Sequence, residues 1–135
     1  MAGGVEDLAA YRLESAKEDL DAAKKLMAAD MYKQSLNRSY YAVFHAIKAV
    51  NALDGFDSRK HSGVIAHFNQ FHVKTGEFTV NITKMVRHAS EMREGADYRD
   101  FFVATREDAE EQIHNAETVI DAVTVYLKDK GIIEN

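Results

Sequence analysis

The chain has 135 residues and carries 17 Lys and Arg against 22 Asp and Glu, a formal charge of −5. It contains no Cys, which excludes a disulfide scaffold, thiolate-held zinc, iron–sulfur ligation and a Cys nucleophile. It also lacks Pro and has only seven Gly; average usage would supply about seven prolines, and β sandwiches build their many turns from Pro and Gly.

The composition therefore points to an all-α fold with few, short connections. No apolar run approaches the roughly 20 residues that span a bilayer, and Met1–Leu8 lacks a signal-peptide pattern, so the sequence reads as soluble and cytoplasmic. The first long segment, about residues 5–29, places Ala9, Leu13, Ala16, Leu20, Ala23 and Met27 at alternating intervals of four and three. That spacing is the apolar stripe of an amphipathic helix. After a break near Asp30, a second helix over about 32–53 turns Leu36, Tyr40, Val43, Phe44, Ile47 and Val50 inward.

Residues 54–58 form a loop signal, and a short helix over about 62–71 is expected to bury Val64, Ile65, Phe68 and Phe71. Lys74-Thr75-Gly76 is a second break. The next helix, over about 80–94, uses Ile82, Met85, Val86, Ala89 and Met92, with Gly95 as its expected stop. A capping-box pattern at Thr105–Asp108 opens the last helix, which runs to about Lys130 before Gly131. Its stripe of Ala109, Ile113, Ala116, Ile120, Val123 and Leu127 repeats the spacing of the first helix. The expectation is one domain over residues 1–135: an antiparallel up-and-down bundle of four long helices plus one short helix.

Charge is uneven along this scaffold. Residues 58–93 hold six basic and two acidic side chains, hence +4, while the rest of the chain carries −9. A local cationic face is thus compatible with the acidic total; scattered, solvating charges are the plainer alternative. Four histidines, His61, His67, His72 and His88, lie in the same stretch. His61, His67 and His72 are six and five apart, off the i, i+4 spacing of helical zinc ligands, and no carboxylate sits among them. The sequence therefore gives no metal site and no cofactor.

Arg38, Tyr41, His45 and Lys48 fall at i, i+3, i+7 and i+10, one polar and aromatic line beside the apolar face of the second helix. Arg can fork onto a phosphate, His can move protons near neutrality, and Tyr can stack or donate. The plainer reading pairs Arg38 with an acid of another helix and leaves His45 half-buried and satisfied. A second cluster gathers Arg93, Asp97, Tyr98 and Arg99 near a helix end. Its structural alternative has Asp97 accepting from the arginines while Tyr98 fills the core.

The string Arg38-Ser39-Tyr40-Tyr41-Ala42-Val43-Phe44-His45-Ala46 resembles the signature helix of HEPN-domain proteins, in particular their small stand-alone prokaryotic branch. The resemblance continues through Lys60–Val64, Phe68, Arg93–Tyr98 and the alanine-bearing last helix. It implies a helical bundle that dimerises and often pairs with a separately encoded minimal nucleotidyltransferase, as in toxin–antitoxin modules. Members with an R-x4-6-H motif are metal-independent ribonucleases, in which Arg holds the phosphate and His transfers protons. Such in-line attack needs a base, an acid and charge stabilisation but no metal.

Arg38-x6-His45 satisfies the loosest form of that motif on the second helix, whereas the family's motif usually lies later. There, Arg93-x4-Tyr98 has a tyrosine in the histidine's place, and a phenol with pKa near 10 is a poor neutral-pH base. The expectation is a homodimeric nucleotide- or RNA-binding domain using Arg38, Tyr41, His45, Lys48, Arg93, Asp97 and Tyr98, working with a nucleotidyltransferase. The alternatives are a metal-independent endoribonuclease toxin with Arg38 and His45 as catalytic residues, and a non-catalytic structural adaptor dimer.

Overall fold

A computed structural model describes residues 4–134; the start of Met1–Leu8 lies outside them. The chain forms α1 (Val5–Ala28), α2 (Tyr32–Ala52), α3 (His61–Phe68), α4 (Val80–Tyr98) and α5 (Arg106–Asp129). There is no strand among the described residues. The architecture is the expected antiparallel bundle of four long helices and one short helix. No helix among the described residues is long and apolar enough to cross a membrane.

The bundle is organised by α2, which packs against α1, α3, α4 and α5. Its inward residues Leu36, Tyr40, Val43, Phe44, Ile47 and Val50 are all buried. The small residues Ala42, Ala46, Ala49 and Ala52 are also buried, so neighbouring helices can approach α2 on more than one side. The α1 stripe from Ala9 to Ala23 and the α5 stripe from Ala109 to Leu127 are buried as their spacing requires. Two polar side chains inside this apolar packing are matched to backbone acceptors: Ser35 Oγ donates to Ala23 O at 2.8 Å, and Asn51 Nδ2 to Val64 O at 3.0 Å. These bonds offset part of the cost of burying the two side chains, although Asn51 Oδ1 has no partner, and tie α2 to α1 and α3. At the head of α5 the capping box forms as expected, with Asp108 N donating to Thr105 Oγ1 and Thr105 N to Asp108 Oδ2, both at 3.0 Å.

Two boundaries differ from the sequence expectation. The short helix is α-helical only to Phe68, and Asn69–Val73 form a π-helical turn. The wide turn shifts the helical register, so His72 points inward at 4% exposure while Phe71 is 48% exposed. The second difference is Gly95, which does not stop α4; the helix continues to Tyr98. Gly95 is buried because the Phe102 ring lies across it: a Cβ there would stand 2.4 Å from Phe102 Cε1. Its role is close approach rather than a left-handed cap.

Gly95→Ala should therefore destabilise the fold by about 1–3 kcal/mol through overpacking, the reverse of the roughly 1 kcal/mol gain at an open helical site. Urea unfolding of Gly95→Ala in the wild-type and Phe102→Ala backgrounds checks this. The cost should vanish or change sign once the ring is removed.

Candidate nucleotide and RNA site

The α2 polar stripe and the end of α4 meet at the bundle surface. Because α2 is the central helix, its stripe is only half-exposed, and long side chains there lie against the apolar packing. Tyr41 is the meeting point. The Arg38 guanidinium carbon lies 4.9 Å from its ring centroid and that of Arg93 lies 5.6 Å away, while Arg93 Nη2 donates to Tyr41 Oη at 3.2 Å. Arg93 also stacks on Tyr40 at 5.0 Å and Tyr98 at 5.4 Å. Two guanidinium groups thus converge on a cluster of tyrosine π faces, an arrangement suited to cation–π attraction.

Asp97 closes this cluster on one side. It accepts from Asn37 Nδ2 at 2.8 Å and lies 3.2 Å from Arg93 Nε, joining α4 to α2. The Arg93 Nε–H makes no hydrogen bond: the Asp97 contact supplies charge attraction without donor alignment. The structural alternative thus holds for Asp97 only as an ion pair with Arg93, its hydrogen bond coming from Asn37, and fails for Tyr98, which is 70% exposed and fills no core position.

Asp19 of α1 closes the other side. One carboxylate oxygen accepts from Arg38 Nη1 at 3.1 Å and the other from His45 Nδ1 at 2.8 Å. Here the plainer sequence reading describes the contacts: Arg38 does pair with an acid of another helix. Yet the same contact orients the imidazole, because a carboxylate on Nδ1 fixes the tautomer that leaves Nε2 as an acceptor. Lys48 takes a different direction. It lies 3.6 Å from Asp57 and 5.5 Å from the Phe44 ring, and lines a cavity of about 470 Å³ with Ser58, Arg59 and His61. The expected residues therefore form a core of Arg38, Tyr41, His45, Arg93, Asp97 and Tyr98, with Lys48 at a neighbouring opening.

Sequence reasoning missed Asp19, Asn37, Tyr40 and His61. Tyr40 Oη donates to His61 Nδ1 at 2.8 Å, and the His61 ring rests 4.3 Å from that of Phe44. Burial holds the His61 pKa below its ordinary value, assisted by the positive charges of Arg93 and Lys48 and by His45. Burial pushes the Tyr40 phenol up to about 12, partly offset by Arg93. His61 is thus a neutral acceptor beside a tyrosine that keeps its proton. The four histidines of the basic stretch are not one group: His61 belongs here, His88 Nδ1 accepts from Gln112 Nε2 at 3.1 Å, and His67 and His72 lie together elsewhere.

A HEPN domain model matches residues 9–129, and the chain belongs to the HEPN domain family. It is 33% identical over 124 residues to a UPF0332 protein of Thermotoga maritima, covering 92% of this chain and 94% of that one. A protein of Methanocaldococcus jannaschii named "Putative toxin MJ0605" is 33% identical over 117 residues, 87% of each chain. Among solved structures, TT1696 from Thermus thermophilus superposes with a TM-score of 0.73 at 18% identity, covering 86% of this chain and 95% of the other. ST0689, an archaeal HEPN homologue, gives 0.64 at 19% identity, covering 89% and 98%.

The lowered His61 pKa makes stability pH-dependent. The folded state binds fewer protons here than the unfolded state, so this contribution is complete above the unfolded histidine pKa near 6.5. It is lost as pH falls from there through the lower folded value. Between pH 7.5 and 5, wild type should lose more of its urea midpoint than His61→Phe, and equal losses would refute the assignment.

Proposed function

We propose that this HEPN domain binds nucleotide or RNA through the Arg38–Tyr41–Arg93–Tyr98 cluster, as a homodimer working with a nucleotidyltransferase in a toxin–antitoxin-like module. The observation that carries the reading is the convergence of Arg38 and Arg93 on the Tyr41 ring, with Arg93 also lying against Tyr40 and Tyr98. A phosphate would be recognised by the guanidinium ends of these two arginines, while exposed Tyr98 offers a π face to a base. Toxin naming among the relatives supports a two-component setting. Tyr98, Phe101 and Val103, exposed within six consecutive residues, support association of two copies.

A second reading is supported by one specific contact. Asp19 orients His45 and anchors Arg38, so a carboxylate-held imidazole and a guanidinium share one line. In a metal-independent ribonuclease His45 Nε2 would take the ribose 2′-hydroxyl proton as the 2′-oxygen bonds to phosphorus, the P–O5′ bond would break with that imidazolium or water returning a proton to the 5′-oxygen, and Arg38 would leave Asp19 for the scissile phosphate.

Fluorescence anisotropy with labelled single-stranded RNA and labelled ATP tests the binding reading. Wild type should bind with affinity that falls as salt rises, and Arg93→Ala should weaken it at least tenfold. No binding, or equal binding by the variant, overturns it. RNA cleavage and growth arrest that disappear in His45→Ala would favour the nuclease reading.

A further inference from the structure

A separate cluster stands at the end of the bundle formed by the loop after α2, α3 and the π turn. Asp54, His67 and His72 each bring one potential ligand atom, all within 4.8 Å of one another. His67 Nε2 lies 2.8 Å from Asp54 Oδ2, and His72 Nε2 lies 2.6 Å from the same oxygen. On its other edge His72 Nδ1 lies 2.6 Å from Glu77 Oε1, and Glu77 Oε2 accepts from Tyr126 Oη at 3.0 Å.

This pattern has two shells. A carboxylate on one nitrogen of an imidazole fixes the tautomer and turns the other nitrogen towards a metal, and that carboxylate is itself usually hydrogen-bonded. Glu77, held by Tyr126, stands in that relation to His72. With Nδ1 protonated towards Glu77, Nε2 is a lone pair facing the Asp54 oxygen. His72 is only 5% exposed, so its Nε2 faces the Asp54 oxygen away from bulk water.

We propose that Asp54 Oδ2, His67 Nε2 and His72 Nε2 form a binding site for a divalent transition-metal ion of the zinc class, with Glu77 and Tyr126 as supporting residues. Nitrogen and oxygen donors stand about 2.0–2.2 Å from tetrahedral zinc, hence about 3.3 Å from each other. The Asp54–His67 and Asp54–His72 separations need to open by well under 1 Å. Two imidazoles and one carboxylate suit zinc, cobalt and nickel better than magnesium or calcium, which prefer oxygen. Asp54 and His72 line a cavity of about 560 Å³ together with Phe71, Thr75 and Lys130, which has room for a water or a small anion.

The backbone explains how ligands five residues apart can converge. On an ideal α-helix they diverge by about 140°. The π turn at Asn69–Val73 inserts the wider i→i+5 closure and brings the His67 and His72 rings to 6.0 Å. The carboxylate missing from the run of histidines arrives from the loop, 13 positions before His67.

Calorimetric titration of the metal-stripped full chain with Zn²⁺ alone should give one saturable equivalent and a higher thermal midpoint. Co²⁺ should give the visible absorption of a tetrahedral site. His67→Ala and Asp54→Asn should each weaken Zn²⁺ binding more than tenfold, and Glu77→Gln by about ten- to a hundredfold. His114→Ala, at an exposed position on α5, should leave it unchanged. Far-UV circular dichroism verifies folding, and Asp54→Asn keeps side-chain size if His67→Ala unfolds. Absence of a saturable equivalent, or Zn²⁺ affinity equal in wild type and both ligand variants, would show a proton-held ion cluster instead and overturn the proposal. Neither result bears on RNA binding.

Discussion

Helix α2 carries two incompatible demands, and the molecule is arranged around reconciling them. Its inward face must be shared among four neighbouring helices, which requires a broad run of apolar and small side chains. The narrow remaining stripe must then carry Arg38, Tyr41, His45 and Lys48 at the edge of that packing. A charged side chain at such an edge is half-desolvated and needs a partner. Asp19 of α1 and Asp57 of the following loop supply partners to the stripe, and Asp97 supplies one to Arg93 beside it. The polar surface and the apolar axis are therefore two sides of one helix, and neither changes without disturbing the other.

The same constraint explains why the site holds both fixed and available groups. Asp19 satisfies Arg38 and His45, and Asn37 satisfies part of Asp97, but Arg93 keeps a donor without an acceptor. Ring faces hold the Arg93 guanidinium together with one hydrogen bond to Tyr41 Oη and the Asp97 carboxylate beside Nε. Stacking on Tyr40, Tyr41 and Tyr98 thus holds Arg93 in place beside the exposed Tyr98 ring.

Much of the bundle is legible in the sequence because burial writes its period there. The stripes of α1, α2 and α5 can be read from apolar spacing alone, and the α5 cap from four residues. Gly95 misleads because a glycine near a helix end carries the local signal of a stop, whereas its actual reason, the Phe102 ring, lies seven residues on. Of the candidate site, Arg38, Tyr41 and His45 are visible as one line on one helix, and Arg93 and Tyr98 as one motif. Asp19 and His61 are not, because a partner delivered by tertiary packing leaves no spacing to detect. The π turn is hidden for a related reason: it depends on where neighbouring helices require the chain to go.

That turn also says something about how the molecule tolerates change in chain length. A π turn accommodates one residue more than the α-helical turn it replaces, so the segment Asn69–Val73 behaves as an absorbed insertion. Removing a residue there would leave the helix intact but rewind everything after it by about 100°. His72 would then leave the interior and part from Asp54 and Glu77, and the following connection to α4 would start from a different side. Elsewhere in the bundle, connections can gain or lose residues at the surface. Here a single codon sets which side chain faces inward, making this short stretch the place where length itself, rather than residue type, is the inherited specification.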